Sequence, residues 1–266
     1  MEVRKYLSLY HAMVYKNLQE SAAYKLDFRI GILAHLLMQA STVLFIMTVY
    51  SHTEALGGFT FAQSLILYGC SLLPTGIEEF FLHNTWSLSK HVNMGTLDSI
   101  LTRPVPPLLA LVMDGTGIHG FILGICGGIV LTIGFVLSGT SFGIWKCLWL
   151  IVCAVSGAFI IFAVTLFMAT LSFWFTDVMD AMVMVNNLRQ FVQYPVTIYQ
   201  PFIRNILVFL VPYAFTSFFP AALMLDMEEY AGYAYATPFV AGVLVLAAVL
   251  FFRFGLGFYQ SSGGGQ

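Results

Sequence analysis

The chain has 266 residues, of which 59% are hydrophobic and only 9% charged, with a formal net charge of −2. A soluble domain carries roughly 25% charged residues and could not hide this much apolar surface, so the excess is expected to face lipid. The eleven basic residues are scattered rather than clustered, which excludes nucleic acid as a partner class.

In lipid, every backbone donor and acceptor must be paired within its segment, so the long apolar runs are read as helices; no strand-like alternation supports a barrel. Residues 3–18 place Val3, Tyr6, Leu7, Tyr10, Met13, Val14 and Leu18 at helical spacing opposite Arg4, Lys5, Ser8, His11 and Lys16. That is the pattern of a helix lying in the headgroup plane or of a solvated cytoplasmic helix. The first 28 residues lack an uninterrupted apolar stretch ahead of a small-residue cleavage site, so no signal peptide is read and the N-terminus is expected to be retained. Spans are predicted at residues 30–50 and 60–83, joined by a short polar turn, then at 108–137, 147–175 and 237–254. Between Asp180 and Tyr235, two arginines and Pro195, Pro201, Pro212 and Pro220 interrupt two moderately apolar runs. Two readings stay open there: a span at 203–225, or a span at 181–199 followed by re-entrant pieces buried by protein. Both have the same parity. Arg4, Lys5, Lys16, Lys25, Arg29, Lys90, Arg103 and Arg253 then fall on one side and Lys146 on the other, which makes both termini cytoplasmic.

The four cysteines, Cys70, Cys126, Cys147 and Cys153, stand singly in apolar stretches, as free thiols do. Gly115, Gly117 and Gly120 fit G-x-G-x-x-G, but no βαβ unit surrounds them and no carboxylate lies near residue 140. Gly120, Gly124 and Gly128 recur every four residues instead, a smooth stripe against which a neighbouring helix can pack closely. Glu78 and Glu79 lie in the second span, and Glu79 and His83 are four apart on one helical face. Such groups fit a proton relay or a substrate-contacting path, an intramembrane hydrolase, or side chains snorkelling at headgroup level. Gly95-Thr96-Leu97-Asp98-Ser99-Ile100-Leu101-Thr102-Arg103-Pro104 reads as a short helix with an acid in its first turn, a base in its last and a proline stop. Leu97, Ile100 and Leu101 share one face, offered to a partner's groove or resting on the membrane surface. No P-loop signature occurs anywhere, so a pump built on this chain would borrow its energy.

The decapeptide at 95–104 resembles the G-x-L-D-x-x-L-x-R-P signature of type 2 ABC exporter permeases, in the branch of small paired membrane subunits. Tyr194-Pro195 with Tyr199, residues 209–220 and the tail Tyr259-Gln260-Ser261-Ser262-Gly263 are similar to that branch in the same order. The resemblance implies an all-α polytopic fold forming one permease domain over residues 1–266. Its parts are an N-terminal interfacial helix within residues 1–28, six spans, a cytoplasmic coupling loop at 84–107 with its coupling helix at about 92–103, re-entrant helices before the last span, and a cytoplasmic tail at 255–266. It favours 181–199 as span five, against the charge count, since Arg189 would lie in the span and Arg204 outside. It further implies an ATP-binding subunit in two copies that holds ATP and magnesium, a second permease subunit, export across the inner membrane, and no cofactor or catalytic residue on this chain. Gly95, Leu97, Asp98, Ile100, Leu101, Arg103 and Pro104 are then the coupling residues, and Glu78, Glu79 and His83 the candidates for the translocation path. The alternatives are a secondary transporter coupled to protons through Glu78, Glu79 or Asp114, and a hydrolase built on Glu79 and His83.

Overall fold

The computed structural model describes residues 10, 12–17, 19, 25–140 and 143–259. Their regular elements are all helical; in chain order the α-helices are α1 (Lys25–Tyr50), α2 (Phe61–Phe81), α3 (Ser87–Asn93), α4 (Asp98–Leu101), α5 (Pro107–Met113), α6 (Ile118–Ser138) and α7 (Ile144–Thr170), then α8 (Met179–Asn187), α9 (Pro201–Asn205), α10 (Phe218–Met224), α11 (Glu228–Ala234) and α12 (Thr237–Leu256). Four helices, α1, α6, α7 and α12, are long and apolar enough to cross a membrane, and α2 with the helix bent away from it makes up to five. The predicted interfacial helix and tail fall partly outside the described residues. Of the former, Tyr10, residues 12–17 and Gln19 are helical, and the Tyr10 hydroxyl donates to the Phe81 carbonyl at 3.3 Å.

Local chemistry sets the helix ends. Thr60 and Gln63 close a reciprocal capping box at the start of α2. Gly139 ends α6 in the left-handed region at φ 65°, where a Cβ would be strained. Pro107 and Pro238 occupy the first turns of α5 and α12, where a missing N–H is harmless.

α2 is the central helix. It packs along α6 and α7, and α7 packs along α12. α1 is peripheral, with only 6% of its apolar window buried. The third predicted span begins later than expected: residues 107–113 form the separate helix α5, and the chain breaks at residues 114–117 before α6.

Neither candidate for the fifth span is a continuous helix. Residues 179–224 fold into short α, 3-10 and π pieces, with no α-helix longer than α8 at 9 residues. The prolines are the reason, since each removes a backbone donor and disfavours helix in the residue before it. Carbonyls of this segment find side chains, Ser217 Oγ donating to Val192 at 2.7 Å and Tyr199 Oη to Phe191 at 2.9 Å, and Thr197 Oγ1 donates out of it to the Gly57 carbonyl in the turn before α2 at 2.7 Å. Tyr213, Phe218 and residues 219–224 are buried in the main core, which is what irregular backbone requires at membrane depth. α7 ends beside the loop that precedes α6, where Asn93 Nδ2 donates to the Thr176 carbonyl, whereas Tyr235, just before α12, packs at a tilt against Trp149 near the opposite end of α7. Residues 177–236 therefore carry the chain from one end of the bundle to the other in pieces.

Candidate functional site

At the loop end, α2 stops at Phe81 and the chain turns through the 3-10 piece His83–Trp86 into α3, so that His83–Asn93 leaves the axis of α2 at 73°. Gly95, at φ 67°, then reverses the chain. The reversal is tied by the His91 carbonyl, which accepts from Thr96 N at 3.0 Å and Leu97 N at 3.2 Å, and by contact of His91 Nδ1 with Thr96 Oγ1 at 2.8 Å. Partial burial holds the His91 imidazole below the usual histidine pKa. The predicted helix over the decapeptide is shorter than expected, four residues at Asp98–Leu101.

The structure also corrects which face is offered. Leu97 and Ile100 are fully buried with Leu88, Leu111, Leu166 and Phe252 in this chain's own core, because α5 and α7 lie directly beneath them. The exposed tip instead carries Met94, Leu101 and Pro104 among the polar Asn93, Thr96, Ser99 and Thr102, with Met94 64% exposed. Met94 escaped the sequence reading because it precedes the helical pattern; its signal is a long flexible apolar side chain set beside the turn glycine. Arg103 does not project. It forms a two-pronged ion pair with Asp114, Nη1 to Oδ1 at 2.7 Å and Nη2 to Oδ2 at 3.2 Å, which clamps the loop to the end of α5. Asp114 is thereby committed to structure rather than free for proton coupling. Tyr259 lies beside Asp98; burial first, and then that carboxylate, raise the pKa of its phenol. Two stretches 160 positions apart in the resemblance, the loop and the tail, thus meet here.

The acidic residues of α2 diverge. Glu78 is 2% exposed and its Oε2 lies 3.7 Å from Arg189 Nη1 on the broken segment. Glu79, on the neighbouring face, has Oε1 3.9 Å from His35 Nε2 of α1, and the His35 ring stacks on His119 of α6 with centroids 4.5 Å apart. His83 lies beyond the end of α2 and is exposed, so the expected Glu79/His83 pair on one helical face is replaced by Glu79 with His35. Among the described residues, no group of three His, Cys, Asp or Glu side chains is arranged to hold a metal ion.

The glycine stripe is likewise rephased. A Cβ on Gly120 would run into the backbone of α2, 2.6 Å from the Gly76 carbonyl oxygen, whereas Gly124 and Gly128 have open space where a Cβ would go. The close approach continues through Gly127 and Gly134, whose added Cβ atoms would lie 2.9 Å from Leu72 Cβ and 2.8 Å from Ile66 N, and it is met from α2 by Gly69 and Gly76. The contact therefore repeats every seven residues, as it does for two helices whose axes are closely aligned, here antiparallel, and not every four.

An apolar bundle with several membrane-length helices marks an integral membrane protein. The family described as ABC-2 family transporter protein matches residues 36–263, and the chain belongs to that family. No curated protein matches it.

Proposed function

We propose that this chain is the permease subunit of an ATP-driven exporter, and that its loop tip is the point at which a separate ATP-binding subunit pushes. The observation that carries this reading is the build of the loop. A stretch of few regular residues is held rigid by a buried leucine core, a two-pronged Arg103–Asp114 pair and the Asn93 bond to Thr176, yet it leaves Met94, Ser99, Leu101 and Pro104 outward. A rigid scaffold with an exposed apolar tip suits force transfer into a partner's groove. In this reading both termini and the loop are cytoplasmic in an inner membrane, residues 177–236 supply the fifth of six crossings with re-entrant pieces, and two such permease subunits flank a path beside Glu78 and Glu79. Two copies of the ATP-binding subunit hold and hydrolyse ATP with magnesium.

The experiment is co-purification of the tagged chain from its native membrane in mild detergent, with the retained proteins tested for a P-loop ATPase. Wild-type chain retains the ATPase, and Met94→Glu with Leu101→Glu loses it while remaining inserted and monodisperse. Retention by that double variant, or ATP-independent export by the purified chain alone, overturns the proposal.

A further inference from the structure

At the loop end of the bundle, the strip between α5 and the paired helices α7 and α12 holds an open groove of about 400 Å³. Its walls include Leu108 and Val112 of α5, Phe159 of α7 and Val249 and Leu256 of α12, and one charged side chain, Arg253, stands among them. The groove exists because α5 is only 7 residues long and the chain then leaves it for α6, which packs along α2 instead. Among the described residues, no element closes the strip, and Phe159 in its wall is 41% exposed.

Depth and charge together decide what fits the groove. α7 and α12 run side by side in the same direction, since Trp149 packs against Tyr235 and Phe167 stacks on Phe251. That register puts Arg253 level with Ala169, near Trp174, which stacks on Phe251 and Phe254 as tryptophans at a membrane interface do. From that level to Phe159 is about 15 Å at 1.5 Å per residue, the depth of one leaflet in a hydrocarbon core about 30 Å thick. An acyl chain entering beside Arg253 therefore ends near Phe159. Arg253 is exposed and makes no ion pair or hydrogen bond among the described residues. The acids of the loop and of the end of α5 are engaged elsewhere, Asp114 by Arg103 and Asp98 beside Tyr259. A guanidinium at the mouth of an apolar trough, at headgroup level, suits a lipid whose chain takes the trough and whose phosphate takes the arginine. A purely apolar helix seated there would instead bury Arg253 without a counter-ion.

We infer that this groove is a binding site for an anionic phospholipid of the leaflet at the loop end, its phosphate on Arg253 and an acyl chain in the trough. The site does not depend on the exporter reading and needs only that the bundle sits in a bilayer. The test titrates the purified full chain with dimyristoyl phosphatidylglycerol and with dimyristoyl phosphatidylcholine, which carry the same chains, and counts bound lipid by native mass spectrometry. One phosphatidylglycerol should bind about fivefold more tightly than the choline lipid, the preference that a single arginine at a membrane surface supplies. Arg253→Gln should remove that preference and leave the weaker binding of both lipids, whereas Val249→Phe, which fills the trough, should lower both. If the filled variant unfolds early, the comparison of wild type with Arg253→Gln decides alone. Equal affinity for the two lipids, an undiminished preference in Arg253→Gln, or unchanged phosphatidylglycerol binding in a folded Val249→Phe overturns the inference. So does a two-chain mass that Val249→Phe splits, because a second copy then occupies the groove. The ATPase co-purification reads the loop tip and not this groove, so the failure of either leaves the other standing.

Discussion

Substituting alanine at Gly120 and at Gly124 separates two readings of one glycine-rich helix. At Gly120 the new Cβ meets α2 backbone, including the Gly76 carbonyl oxygen at 2.6 Å, and backbone cannot rotate aside as a side-chain tip can. α2 and α6 would have to separate by several tenths of an ångström along an interface that also holds Gly127 and Gly134. Overpacking of this kind costs about 1–3 kcal/mol. At Gly124 the Cβ enters open space, and alanine removes backbone freedom from the unfolded chain, so stability is expected to hold or rise slightly. The free cysteines supply the assay, because Cys70, Cys126 and Cys153 are buried thiols that a thiol-reactive fluorophore reaches only on unfolding. The Gly120→Ala transition should fall by roughly 2–10 degrees, using the scaling for chains of this size, and that of Gly124→Ala should not fall. Equal transitions for the two variants, or the larger loss at Gly124, would refute the seven-residue contact.

Leu97→Ala should release the loop, since removing a fully buried leucine costs about 2–5 kcal/mol; hydrogen exchange should accelerate across residues 94–103 while α7 keeps its protection. Arg103→Gln and Asp114→Asn should each speed opening of the loop up to about fivefold, near the 1 kcal/mol ceiling for partly exposed pairs, and the double variant should match either single one because both break the same contact. The depressed pKa of His91 means that the folded loop binds fewer protons than the opened one. Its contribution is therefore complete above the ordinary histidine range near 6.5 and declines as pH falls through that value toward the folded one. Exchange protection of residues 91–97, corrected for intrinsic rate, should drop between about pH 7.5 and 5, and His91→Gln should flatten the profile.

Hydropathy made α1, α2, α6, α7 and α12 legible, because each is a long apolar run ended by glycine, proline or polar residues. The loop at 84–107 was legible as an interruption, and the turn at Gly95 as a glycine. Which leucines face inward was not, because Leu97, Ile100 and Leu101 share a helical stripe and only the position of α5 and α7 decides which of them is covered. The Arg103–Asp114 pair was hidden by the break at residues 114–117, which turns the carboxylate back toward the loop instead of into a third span. Periodicity failed for residues 179–224 because the closely spaced prolines allow no helix long enough to show a period. Arg189 looked like an obstacle to a span, and its partner Glu78 lies on a helix more than a hundred residues earlier, so no local pattern joins them. The glycine stripe was read at a spacing of four because three glycines happen to stand there; the phase of a helix so rich in small residues is set by its neighbour.

The bend after Phe81 gives the bundle a crank. His83–Asn93 stands at 73° to α2 and is seated through Leu88 on α5, α7 and α12, so the arm moves with α2 when α2 tilts together with those helices. At a rise of 1.5 Å per residue the arm is about 16 Å long, so a tilt of α2 by about 10 degrees sweeps the far end of the arm through about 3 Å. That displacement is comparable to the width of a single side chain, and the same lever run backward turns a small push on Met94 into a rocking of the helix that carries Glu78.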